Sequence, residues 1–146
     1  MSYKRLLTIQ DISCVGQCSL TVALPIISAC GIETAVLPSA VLSTHTAGFS
    51  GYTFRDLTDD MPAIKDHWIK ENIKFDAIYT GYLGTMEQID MMKDLFKKFG
   101  SGEDKLIFVD PVMADNGVLY AGFDDSIVVA MRKLCTRADI IVPNLT

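Results

Sequence analysis

No stretch of this sequence approaches the roughly 20 consecutive apolar residues that a membrane-spanning helix needs. The start, Met1-Ser2-Tyr3-Lys4-Arg5, runs straight into a short apolar strand instead of a signal-peptide core. A cytoplasmic protein without a membrane partner is therefore expected. Positive charge is in the minority, with 13 Lys and Arg against 18 Asp and Glu, a net charge of −5 and no basic run. A nucleic-acid surface needs clustered basic side chains, so nucleic acid is not an expected partner. Only two histidines occur, and the four cysteines, Cys14, Cys18, Cys30 and Cys135, include no CxxC pair. Structural zinc is excluded on that basis, and reduced thiols are expected. The segment after the first apolar run, Asp11-Ile12-Ser13-Cys14-Val15-Gly16-Gln17-Cys18-Ser19, fits neither GxGxxG nor GxxxxGK[ST]. Dinucleotide-binding folds and P-loop enzymes both lose ground.

What is present is a chain of 146 residues, 49% of them hydrophobic, which suits one globular domain with a substantial core. Short apolar runs at 5–10, 75–81, 106–109 and 139–142, with an extended segment at 33–42 interrupted by Pro38, read as five strands. Helical periods fall at 18–30, where Pro25 kinks the helix or sits near its start, from Asp59 with Asp60 as a cap, at 85–99 and at 124–136. Thr85 and Gln88 form a capping-box pattern, and Gly31 ends the first helix. Strands alternating with helices of this length imply right-handed crossovers. The expected class is α/β, a doubly wound, mainly parallel sheet with helices on both faces. The segment 43–52, dense in hydroxyls, glycine and aromatics, is expected to be a functional loop or flap.

Ligands of open α/β sheets bind outside the carboxyl ends of the strands, which directs attention to the polar residues there. Asp110 follows the strand 106–109 directly, and Asp115 comes five residues later. Magnesium keeps much of its water and takes one or two carboxylates, so this sparse pair suffices for a metal–phosphate region. An ordinary turn at Asp115-Asn116-Gly117 explains Asp115 equally well. Asp11 ends the first strand, where it either accepts hydrogen bonds from a small molecule or caps a turn. His45 lies in the polar loop, where hydrogen bonding is expected and catalysis is not. Tyr82, after Gly81, either stacks on a flat ring or packs under the next helix. The chain closes on Val142-Pro143-Asn144-Leu145-Thr146, a fresh strand without a covering helix, as expected if the polypeptide is part of a larger domain.

Ile9-Gln10-Asp11, Val15-Gly16, Ser43-Thr44-His45-Thr46, Tyr79-Thr80-Gly81-Tyr82, Asp110-Pro111-Val112 with Asp115, and Ile141-Val142-Pro143-Asn144 occur in the order and spacing of the vitamin B6 kinases. Over essentially its whole length the chain resembles the N-terminal half of a pyridoxal, pyridoxine or pyridoxamine kinase of the ribokinase-like superfamily. The resemblance implies ATP-dependent phosphorylation of the 5′-hydroxyl of a B6 vitamer, with ATP and Mg2+ as cofactors and a monovalent cation as a further candidate. It implies that Asp11 faces the pyridoxal ring at a position where many relatives have Ser, that Thr46 with His45 beside it sits at the ring nitrogen, and that Tyr82 closes over the substrate. Asp110 would belong to the magnesium and phosphate region, Asp115 to the triphosphate, and Asn144 would begin an Asn-x-x-Glu motif. A homodimer is implied for the full-length protein.

The catalytic Asp of such kinases lies in a Gly-x-Gly-Asp loop, and no Gly-x-Gly-Asp occurs in these 146 residues. The chain by itself is expected to be inactive, with its base beyond Thr146. Three alternatives stand beside this expectation: a hydroxymethylpyrimidine kinase of the same superfamily; a sugar or nucleoside kinase, disfavoured because the N-terminal lid hairpin and Gly-Gly motif are not seen; and a non-catalytic α/β binding module in which the aspartates bind a cation or cap turns.

Overall fold

A computed structural model describes residues 4–145. Met1, Ser2 and Tyr3, used above for the absence of a leader, and Thr146, the end of the closing motif, lie outside the described residues. Six strands form one sheet in the order β3-β2-β1-β4-β5-β8: β1 (Arg5–Ser13), β2 (Glu33–Leu42), β3 (Phe54–Asp56), β4 (Ala77–Thr80), β5 (Leu106–Val109) and β8 (Ile140–Ile141). All pairings are parallel except that of β3 with β2. Between β5 and β8 a separate hairpin joins β6 (Ala114–Asp115) to β7 (Val118–Leu119). Asn116 and Gly117 turn it with φ of 53° and 78°, the left-handed pair that a two-residue hairpin loop requires. The α/β class and the mainly parallel sheet are as the alternating pattern implied.

Four helices connect the strands: α1 (Leu20–Ala29), α2 (Met61–Lys70), α3 (Met86–Phe99) and α4 (Asp125–Cys135). Right-handed crossovers in this strand order put α1 on one face and α2, α3 and α4 on the other. Burial follows the same division. The main core joins Leu7 and Ile9 of β1, Leu37 and Ile78 to Met61 of α2, to Ile89, Met92, Leu95, Phe96 and Phe99 of α3, and to Ile127, Met131 and Leu134 of α4. No residue of α1 belongs to it among the described residues.

The structure departs from the sequence expectations in ways that shape the site. β1 does not stop at Gln10; it runs to Ser13, so Asp11 lies inside a strand instead of in the following loop. Pro38 does not interrupt β2. It pairs with Gln10, and the register then slips so that Ile12 faces Val41, giving β2 one extra residue. A proline has no N–H for the ladder, and a bulge is where a strand tolerates that loss. β3, hidden in a segment without clear alternation, was not anticipated. Pro25 lies inside α1, and Asp60 precedes α2 without a side-chain capping bond. Gln88 completes only half of a capping box: Thr85 Oγ1 accepts from the Gln88 N–H at 3.1 Å, but the Gln88 amide oxygen accepts from the Gly84 N–H at 2.8 Å. Its nitrogen donates to the Ser39 carbonyl at 3.0 Å and to Thr58 Oγ1 at 2.9 Å. This fully buried amide thereby ties the β2 bulge to the turn that enters α3.

Candidate active site

Side chains alternate along a strand, so Asp11 and Ser13 continue the row begun by Leu7 and Ile9 and carry it from the core to the carboxyl rim. There they open into a cleft of about 590 Å³. The walls come from the loop with His45, Thr46 and Tyr52, from Asp56 of β3, from Tyr82, from Asp115 of β6 and from Phe123 beyond the β6–β7 hairpin. Five of the residues singled out in the sequence, Asp11, His45, Thr46, Tyr82 and Asp115, thus share one cavity. Asp110 and Asn144 line a smaller adjoining cavity of about 330 Å³, with Val112 and Tyr120 common to both.

Local chemistry fixes most of these positions. Asp11 is buried and its Oδ2 accepts from Ser13 Oγ at 3.2 Å. Tyr82 stacks on Phe123, ring planes 7° apart and centroids 5.9 Å apart, forming an aromatic wall. Burial, and then the nearby carboxylate of Asp11, pushes the Tyr82 hydroxyl above its usual range, so it stays protonated as a donor. A Cβ on Gly84 would stand 3.2 Å from the Tyr82 ring, a tight contact that glycine avoids. His45 is placed in the same manner. Its N–H donates to the Val15 carbonyl at 3.0 Å, its ring meets Phe49 edge-on at 5.0 Å, and it lies over Gly16. Gly16 has φ of 117°, and a Cβ there would fall 2.0 Å from His45 Cδ2, so only glycine permits this approach.

At the other end, Asp115 is held twice: Tyr120 Oη donates to Oδ2 at 2.9 Å and Asn144 Nδ2 donates to Oδ1 at 3.1 Å. Asn144 also donates to the Ala114 carbonyl at 3.0 Å, so it clamps the hairpin to the end of β8. Burial, with the bond to Asp115 second, pushes the Tyr120 hydroxyl up to about 12. Asp110 is half-buried, and desolvation raises its carboxyl above the ordinary aspartate range. Asp115 lines the larger cleft and is bonded to Asn144 of the smaller one, so it stands where the two cavities adjoin, while Asp110 lines the smaller. Among the described residues no three His, Cys, Asp or Glu side chains cluster tightly enough to hold a metal by themselves. One half-buried carboxylate and the Asn144 amide beside it fit magnesium, which brings its own waters and phosphate ligands.

Of the other lining residues, Tyr52 ends the segment expected to be a functional loop, whereas Ser13, Asp56, Tyr120 and Phe123 line the cleft without having been singled out in the sequence. Nothing in their local pattern marks them. The one readable signal was the run Tyr120-Ala121-Gly122-Phe123 between a hairpin and a helix, which puts two aromatics on a loop.

The mainly parallel sheet, with an antiparallel strand beside the cleft and acidic residues at neighbouring strand ends facing adjoining cavities, has a ribokinase-like fold, as its match to solved pyridoxal kinase structures shows. No family model matches the chain. A provisionally named phosphomethylpyrimidine kinase from Bacteroides thetaiotaomicron, crystallised in a form with pyridoxal, is 49% identical with a TM-score of 0.94, over 99% of this chain and 50% of that one. Pyridoxal kinase from Lactobacillus plantarum is 36% identical with a TM-score of 0.89, over 98% of this chain and 50% of that one. The pyridoxal kinase of Dictyostelium discoideum is 29% identical over 97% of this chain and 48% of its own length. Over nearly its whole length the chain is similar to vitamin B6 kinases of the ribokinase-like superfamily, and it spans about half the length of these relatives.

Proposed function

We propose that the protein carrying this chain transfers the γ-phosphate of ATP to the 5′-hydroxyl of a B6 vitamer. The observation that carries the proposal is the pair of adjoining cavities at the carboxyl ends of β1, β4 and β5, joined through Val112 and Tyr120. Phosphoryl transfer asks the protein chiefly to position two substrates and to neutralise charge, and two communicating pockets meet that need. The larger takes the pyridine ring beside the Tyr82–Phe123 wall, with Asp11, His45 and Thr46 as polar contacts. The smaller takes the phosphate end of ATP, with Asp110 and Asn144 contacting magnesium and its waters. Magnesium, when bound, neutralises the transferring phosphoryl group. The chain's own residues then orient and shield: Tyr82 supplies a flat apolar surface and a protonated hydroxyl, and the Asn144–Asp115–Tyr120 bonds hold the hairpin between the two pockets.

The base is not among the groups described, and the sequence holds no Gly-x-Gly-Asp loop. The 146-residue chain alone therefore has no appreciable turnover, whereas the full-length protein does, acting in the cytoplasm as a homodimer. The naming of the Bacteroides relative favours one second reading, a hydroxymethylpyrimidine substrate in the same cleft. An ATP-coupled assay of the full-length protein decides: turnover with pyridoxal, pyridoxine or pyridoxamine supports the proposal, and turnover with hydroxymethylpyrimidine alone transfers it to the second reading. Turnover by the purified 146-residue chain would contradict the assignment of its inactivity.

A further inference from the structure

The large cleft is acidic without compensation. Three carboxylates, Asp11, Asp56 and Asp115, lie on its walls, and none of the described residues lining it is Lys or Arg. Two of the three are satisfied within the protein. Asp56 Oδ1 accepts from the Thr58 N–H at 2.7 Å, and Asp115 has Tyr120 and Asn144. Asp11 differs. It is only 6% exposed, yet its one hydrogen bond is the contact from Ser13 Oγ to Oδ2, which leaves Oδ1 facing the cleft with no donor from the described residues. A carboxylate so deeply buried is costly unless something donates to it, and a cationic donor offsets that cost better than a neutral one.

Resting on the reading of this cleft as the vitamer pocket, we infer that Asp11 is a specificity-determining residue that favours a vitamer bearing a protonated amine. The three B6 vitamers differ in one substituent: an aldehyde, a hydroxymethyl or an aminomethyl group. The aldehyde offers only lone pairs and would leave Asp11 Oδ1 unpaired against another acceptor. The hydroxymethyl group donates one neutral hydrogen bond. The aminomethyl group is an ammonium at neutral pH, donating to Asp11 while its charge is welcomed by Asp56 and Asp115. The same field opposes an anionic ring substituent, so the cleft discriminates by charge as well as by hydrogen bonding.

The test is calorimetric titration of the full-length protein with pyridoxamine and with pyridoxal, for the wild type and for Asp11→Asn and Asp11→Ser. The wild type is expected to bind pyridoxamine about tenfold more tightly or better, the discrimination a charge-assisted hydrogen bond supplies. Both substitutions should bring the ratio of the two affinities close to one. Equal affinities in the wild type, or an unchanged ratio in a variant that still binds, would overturn the inference while leaving the B6 reading intact. Failure of the wild type to bind either vitamer would overturn that reading and the inference with it. Thermal melts of both variants identify a folding defect, and the wild-type ratio decides the matter even if both variants fail to fold.

Discussion

The two faces of the sheet are built by different rules. On one, α3 buries Gln88, Ile89, Met92, Leu95, Phe96 and Phe99, begins at a Thr85 cap and closes with Lys97 and Lys98 in its last turn. On the other, α1 buries only Leu20, has no side-chain cap at Ser19, carries Pro25 in its interior and leaves Ile26 58% exposed. The first face is a scaffold, stabilised by packing of an amphipathic stripe. The second is poorly anchored, and the loop that enters α1 is the one that brings Cys18 and Ser19 to the cleft and Gly16 under His45. Packing is thus concentrated on the α3 face, while the cleft at the rim draws its lining from both sides, the entry to α1 and the entry to α3 at Thr85.

The sharpest way to break the comparison is to truncate one side chain on each face. Leu95→Ala removes a fully buried side chain and should cost about 2–5 kcal/mol, whereas Ile26→Ala should fall within about 0.5 kcal/mol of zero. Chemical denaturation of both variants measures the difference, and equal losses would mean that α1 is anchored as firmly as α3. Gly16→Ala comes next. The new methyl collides with the His45 ring and the φ of 117° strains any L-residue, so a loss of about 1–3 kcal/mol is expected, with weakened vitamer binding as the loop moves. Binding retained at wild-type strength would separate His45 from the site.

Capping gives a smaller contrast of opposite sign. Thr85→Ala deletes an oxygen that accepts from the Gln88 N–H and should destabilise by about 1 kcal/mol. Ser19 caps nothing and sits at φ of 49°, so Ser19→Gly should be neutral or stabilise by a few tenths of a kcal/mol. Two denaturation curves suffice, and matching signs would refute the distinction between the helix starts.

How much of this was legible depends on which face a residue serves. α3 was readable because its apolar residues recur every three or four positions and burial enforces that period. Strands β4 and β5 were readable as apolar runs, as buried parallel strands must be. β3 was not, since three residues at a sheet edge, pairing through backbone to Leu42, Val41 and Ala40, need no alternation. The extension of β1 through Asp11 was hidden because a polar residue at a strand end reads as loop unless the pairing partner is known. Within the site, Asp11, Asp110 and Tyr82 stood out by position after apolar runs. Phe123 and Tyr120 did not, because their place beside Tyr82 is created by a hairpin that brings distant sequence together. Nor could the spacing of Asp110 and Asp115 show that the two would line different, adjoining cavities, a separation made by the chain between β5 and β6.

The smallest effect concerns the rim between the faces, at Asp110. Burial raises its carboxyl above the ordinary aspartate value, so the folded state holds this proton more tightly than the unfolded one. Stability from that difference is present below the unfolded pKa and disappears as pH rises through the folded value, so at neutral pH the ionised Asp110 is a slight burden on the ligand-free fold. Asp110→Asn removes the charge while keeping the shape. Because the group is half exposed and screened by solvent, a gain of only about 1 °C in melting temperature is expected at neutral pH, shrinking to nothing in acid. Titration with MgATP should show the opposite sign, a loss of nucleotide affinity in the full-length variant. A variant that melts lower than wild type at neutral pH would show that Asp110 is anchored by the scaffold instead of being held open for a metal.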